Sequence, residues 1–372
     1  MKIRRVLFIS NNRTFGGSEV LWLTVARELL ERNYRLAFYV FRWPNYPEHF
    51  HDVFIDKRVT IYYRYKPGFF RSIFNRFISR FYDPAPKWVS FEPDYALISL
   101  GSHVKTLGQI AHCSRFKVPY SIIFQLVSEL SHETNISYVT EVLSSRAAYF
   151  ASDQNRKLLQ RQIAADIPQA KIIYNAAQVS VDLPFSWPAS NVSVSFAVVS
   201  RLDSYHKGLD ILFEVLARPT WKQRNIQVNL YGVGGSRAYL ELLCSYFKLS
   251  NVFFKGYVAD VTTIWSQNCA LVLPSRQEGM SLALIEAMLC GRVCITTHVG
   301  GAKELITHGV EGFVAEAATP DLLDQALEEA WQNQHRWKEI GYAAYEKVRK
   351  VISRRPEEIV LEDVIHFFER AN

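Results

Sequence analysis

The 372-residue chain lacks any CxxC pair, and its five cysteines, Cys113, Cys244, Cys269, Cys290 and Cys294, are odd in number. Neither a disulfide framework nor a zinc knuckle is expected, and a reducing compartment suits such a chain. No DxD triplet occurs in it. The opening MKIRRVLFISNN sets basic residues ahead of apolar ones, but VLFIS is too short for a signal-peptide core or a membrane span. It reads as a first β-strand, and the expected location is cytoplasmic. Acidic residues are absent between Lys57 and Tyr82, where seven cations stand: Lys57, Arg58, Arg64, Lys66, Arg71, Arg76 and Arg80. The net charge of +7 is compatible with nucleic acid, anionic lipid or an anionic substrate, and only its distribution discriminates.

What is present is ordinary globular material. Hydrophobic residues make up 49% and charged residues 21%, a balance that leaves no room for a long disordered tract. The length exceeds what one hydrophobic core usually serves, so two domains are expected. RRVLFIS, LAFYVFRW, YALISLG, YSIIFQLV and AAYFASD read as strands, and VLWLTVARELLERN, VKTLGQIAHCSRF and QNRKLLQRQIA as helices between them. Alternation of this kind implies βαβ units and a mostly parallel sheet. Over 176–192 the periodicity fails and prolines and small polar residues gather, as in a linker. A second α/β series follows, from VSFAVVSRLD to VCITT. The expected domains are 1–180 and 181–354, two Rossmann-like halves facing each other across a cleft, with a C-terminal helix over 355–372 packing back on the first.

Three turns carry candidate chemistry. Gly16 and Gly17 lie between a strand and the helix expected from about Ser18, where free N–H groups and the helix dipole attract phosphate; the plainer reading is a tight turn with Ser18 as N-cap. SRLDSYHKGLD holds Arg201 and Lys207, two cations placed to converge on a diphosphate at the carboxyl end of a parallel sheet. PSRQEGMSLALIEAM turns at Gly279, caps a helix with Ser281, and sets Glu278 in the loop and Glu286 in the helix. Carboxylates suit sugar hydroxyls because each accepts more than one hydrogen bond. On spacing alone, two solvated glutamates remain the simpler reading.

The stretch EGMSLALIEAMLCGRVCITTHVGGAKELITHGVEGF resembles the donor-binding signature of retaining glycosyltransferases of the GT-B fold, family 4, whose hallmark is Glu, seven residues, Glu. GGSE, SRLDSYHKG and YGVGG follow in that family's order, with a looser match in the N-terminal half. The resemblance implies an α/β GT-B enzyme that uses a nucleotide sugar, a UDP- or GDP-sugar foremost, with no cofactor and no metal. It further implies that Arg201 and Lys207 hold the diphosphate and Glu286 the ribose. Glu278 and the backbone N–H groups of Gly279, Met280 and Ser281 would meet the sugar, with the Gly17 backbone near the β-phosphate. Where relatives place a histidine at the end of a central strand, this chain has Gln125, and His103 is the nearby alternative for a catalytic role. Val293 replaces a proline that many relatives carry.

FFRSIFNRFISRFY, residues 69–82, places Phe70, Ile73, Phe74, Phe77, Ile78 and Phe81 on one helical face, as an amphipathic helix does. Residues 57–82 are therefore expected to meet an anionic membrane surface that presents a lipid-linked acceptor; packing on the N-domain is the plainer alternative. Nucleic acid is not expected, because the aromatics share one face instead of interleaving with the cations. The function expected is transfer of a sugar to a hydroxyl of a glycan or lipid-linked acceptor. A sugar-nucleotide epimerase of the same fold and a non-catalytic binding protein are the competing classes. Epimer formation without an acceptor separates the first, and the set Arg201, Lys207, Glu278 and Glu286 argues against the second.

Overall fold

The computed structural model describes residues 3–12, 15–43, 48–64, 86–101, 107–129, 136–175, 177, 179, 187–188 and 193–370. The chain divides into two compact units, one formed by Met1–Ala176 with Arg354–Asn372, the other by Ala177–Ser353. The basic aromatic segment 69–82 and His103 fall outside the described residues.

In the first unit, β1 (Arg5–Ser10), β2 (Arg35–Phe41), β3 (Val59–Arg64), β4 (Tyr95–Leu100), β5 (Tyr120–Phe124), β6 (Ala148–Phe150) and β7 (Ala170–Ile172) form one sheet in the order β3-β2-β1-β4-β5-β6-β7. All its described pairings are parallel. β4 and β5 are buried at every position, as strands covered by helices on both faces must be. Edge strand β3 is partly exposed throughout. Trp22, Phe8, Phe38 and Trp43 pack on one face of the sheet, while Trp88, Phe124 and Phe150 belong to a separate apolar cluster.

The first helix, Gly17–Glu31, begins one residue earlier than Ser18, and its N-cap is Gly16. Glu19 takes over the capping work: its carboxylate accepts from Gly16 N at 3.1 Å, Ser10 Oγ at 3.1 Å and Asn12 Nδ2 at 2.6 Å. A buried carboxylate is tolerable there because three donors and the positive helix end compensate its charge. The last helix, Pro356–Arg370, belongs to this unit. Val360, Val364 and Phe368 enter its core, and Asp363 accepts from Tyr149 Oη at 2.7 Å and Lys171 Nζ at 2.6 Å.

The second unit has β8 (Val194–Val199), β9 (Ile226–Tyr231), β10 (Val252–Gly256), β11 (Ala270–Leu273), β12 (Val293–Thr297) and β13 (Gly312–Ala315) in the order β10-β9-β8-β11-β12-β13. The strand order reverses between β8 and β11, which pair in parallel with Ala270 opposite Phe196. In an open parallel sheet this switch point leaves a crevice beyond the carboxyl ends of the two strands. Here those ends lead to the Arg201 turn and to the Glu278 loop.

Candidate functional site

Beyond β8 the chain makes a short helix, Ser204–Lys207, capped by Asp203, whose carboxylate accepts from His206 N at 3.3 Å. Gly208 ends it at φ 61°. A Cβ on Gly208 would stand 2.0 Å from the Pro274 carbonyl oxygen, so the left-handed backbone and the close approach of the next loop both require glycine. Beyond β11 the loop 274–281 reaches the helix Leu282–Leu289, whose N-cap Ser281 accepts from Leu284 N. The glycine pair after β12 packs against this loop. Gly301 N donates to Gly279 O at 2.9 Å, and a Cβ on Gly300 would lie 2.2 Å from the same oxygen.

These two loops bring Lys207 to Glu278. Lys207 Nζ donates to Glu278 Oε1 at 2.6 Å, and Ser275 Oγ donates to the same oxygen at 2.8 Å. The Lys207 and Glu278 side chains are only 20% and 14% exposed, so the pair is far less screened than a surface ion pair. Arg201 is different. Its side chain is 57% exposed, with Nη2 donating to Asp203 Oδ2 at 3.0 Å. The same carboxylate oxygen lies 2.9 Å from His206 Nδ1. Burial works to raise the Asp203 pKa, but the His206 hydrogen bonds and the charge of Arg201 outweigh it and hold the carboxyl below its ordinary value.

Gly279 and Met280 are buried, and Ser281 is half-buried at the helix start. Glu286 lies within the Leu282–Leu289 helix and is 6% exposed, unlike the solvated glutamate that spacing alone favours. Gly16 and Gly17 open the first helix of the other unit. Gln125, just beyond β5, is buried, and its backbone N–H donates to Leu100 O at 3.0 Å.

Sequence reading passes over two residues. Asp203 organises Arg201 and His206, and an Asp immediately before the S-Y-H-K helix is the N-cap signal that reveals it. Arg276 reads as one more cation, yet its guanidinium is committed to Asp210, with Nη1 at 2.8 Å from Oδ1 and Nη2 at 2.6 Å from Oδ2. Three of the cysteines are buried: burial pushes the Cys113 and Cys290 thiols up to about 12 and raises Cys294 as well.

Residues 193–333, which hold Arg201, Lys207, Glu278 and Glu286, match the family model described as glycosyl transferases group 1. This segment of the second unit is therefore similar to the glycosyl transferases group 1 family. An uncharacterized glycosyltransferase of Methanocaldococcus jannaschii, MJ1178, is 30% identical over 139 residues, 36% of this chain and 38% of that protein. A second from the same organism, MJ1607, is 29% identical over 41% of this chain and 42% of its own length. The chain thus spans about two-fifths of these two curated relatives. The N,N'-diacetylbacillosaminyl-diphospho-undecaprenol alpha-1,3-N-acetylgalactosaminyltransferase of Campylobacter jejuni is 23% identical over 65% of this chain and 62% of its own. Among solved structures, Anabaena Alr3699/HepE in complex with UDP superposes with a TM-score of 0.70 at 18% identity, covering 99% of this chain and all of that one. The fold is therefore GT-B, built from two parallel-sheet α/β units.

Proposed function

We propose that the chain is a retaining, metal-independent glycosyltransferase that moves a hexosyl group from a nucleotide sugar to a hydroxyl of a glycan or lipid-linked acceptor. The observation that carries this reading is the half-buried Lys207–Glu278 contact at the β8/β11 switch point. A cation and a carboxylate there offer one group to a diphosphate and one to a sugar. Arg201, exposed and oriented by Asp203, adds a second phosphate-directed charge. Glu286 is assigned to the ribose hydroxyls, and the Gly279, Met280 and Ser281 backbone with Glu278 to the sugar.

Transfer breaks the bond from the anomeric carbon to the diphosphate oxygen, where negative charge grows as the bond lengthens. It forms a bond from that carbon to the acceptor hydroxyl oxygen, whose proton passes to the departing diphosphate. Fixed cations at the diphosphate oxygen favour the transition state over the ground state. Arg201 and Lys207 supply such charge, so the step asks for no metal.

Uridine is the favoured base, since Alr3699/HepE is a structural neighbour in complex with UDP. A lipid-linked acceptor is favoured by the likeness to a transferase whose name specifies a diphospho-undecaprenol substrate. With such an acceptor, the basic segment 57–82 makes an anionic membrane surface the expected place of work, and cell-surface polysaccharide or glycoconjugate synthesis the expected setting.

The test is incubation with UDP- and GDP-sugars, an undecaprenyl-diphosphate sugar as acceptor, and EDTA, with the product's anomeric configuration read by NMR. Transfer with the donor's configuration kept, at a rate EDTA leaves unchanged, is expected. An inverted product or loss of transfer in EDTA overturns the corresponding part of the reading.

A further inference from the structure

We propose that Arg276 and Asp210 are positioning residues for the Lys207–Glu278 pair, acting as a brace that makes the two loops of the site one body. Lys207 comes from the short helix after β8 and Glu278 from the loop after β11, so their 2.6 Å contact lasts only while both loops hold one relative position. Arg276 connects these loops through side chain and backbone together. Its fork takes both carboxylate oxygens of Asp210, in the first turn of the helix Leu209–Leu216. Nη1 also donates to Ser204 O at 2.9 Å, at the start of the Lys207 helix. In return, Arg276 N and Gln277 N donate to His206 O at 2.8 and 3.3 Å.

A planar bidentate fork fixes direction as well as distance, which a lysine cannot do. The Asp210 carboxylate raises the Arg276 pKa, so the guanidinium stays charged. Arg276 is therefore spent on Asp210 and Ser204 and is not a third phosphate cation, although the sequence places it two residues before Glu278.

The inference rests on the proposed nucleotide-sugar reading, and two measurements on the intact chain keep the two apart. The first is hydrogen exchange in Arg276→Lys and Asp210→Asn. The amides of Arg276 and Gln277 in one loop and of Lys207 and Gly208 in the other should lose protection together, by about tenfold, with the far-UV spectrum unchanged. Loosening confined to one loop, or no loosening, overturns the brace whatever the protein binds.

The second is calorimetry with UDP and with GDP. Arg276→Lys should weaken the nucleotide that binds by about tenfold, and Arg276→Lys with Lys207→Ala should lose no more than Lys207→Ala alone. Multiplied losses in the double variant overturn the assignment, because they mean that Arg276 acts independently of Lys207. A wild type that binds neither nucleotide, with exchange behaving as expected, overturns the nucleotide reading and supports the brace.

Discussion

Lys207 Nζ and Glu278 Oε1 lie 2.6 Å apart although 71 residues separate them in sequence. Parallel pairing of β8 with β11 causes this, because it sends both chains out of the sheet at adjacent points. The fold thus assembles a cation and a carboxylate from segments that carry no mutual signal in the sequence.

Breaking this pair leaves a poorly solvated charge behind. Lys207→Met should destabilise the protein by about 1–3 kcal/mol, below the 3–5 kcal/mol typical of fully buried pairs, since both side chains keep some solvent contact. Urea unfolding checks this. Glu278→Gln should cost less, because the amide oxygen still accepts from Lys207 or Ser275.

Gly208→Ala meets two obstacles at once, the positive φ and the Pro274 carbonyl. A loss of about 2–4 kcal/mol is expected, from a strained backbone conformation plus displacement of the loop. The thermal midpoint should fall accordingly. An unchanged midpoint would show that the two loops yield more readily than their contacts imply.

The low Asp203 carboxyl sets an acid limit. A folded-state pKa below the unfolded value of 3.8 means that the carboxylate stabilises the fold above about pH 4 and that this contribution is lost as pH falls through the folded pKa. Wild type should therefore exceed Asp203→Asn in stability near neutrality, and the two should converge below pH 4. Unfolding curves at several pH values check the sign.

Thiol labelling follows burial. At pH 8, iodoacetamide should spare Cys113, Cys290 and Cys294 in the native protein and modify them after denaturation, because burial keeps the thiolate population negligible. Peptide mass spectrometry reads this directly. Rapid native alkylation of Cys290 would contradict the packing of the helix that carries Glu286.

Much of the fold is legible in the sequence because alternating apolar strands and amphipathic helices each carry their own period. The Arg201 turn and the Glu278 loop are legible through local motifs, and Ser281 through its capping chemistry. Ser18 misleads because Gly16 already provides the extended backbone at the helix start, with Glu19 supplying the hydrogen bond. The helix Pro320–Gln332 goes unread although Thr319 and Pro320 mark its start, and the helix Trp337–Val351 goes unread as well. Asp210 and Arg276 are 66 residues apart, and only the strand order shows that they meet. The burial of Glu286 is likewise tertiary, since a lone glutamate in an apolar helix reads as solvated until its neighbours are placed.

A nucleotide sugar at this site is held through Lys207 and Glu286. Calorimetric titration of the wild type, Lys207→Ala and Glu286→Ala with UDP- and GDP-sugars tests it most directly. Saturable one-site binding of at least one donor by the wild type is expected, weakened at least tenfold in each variant. Equal binding by all three proteins would contradict it.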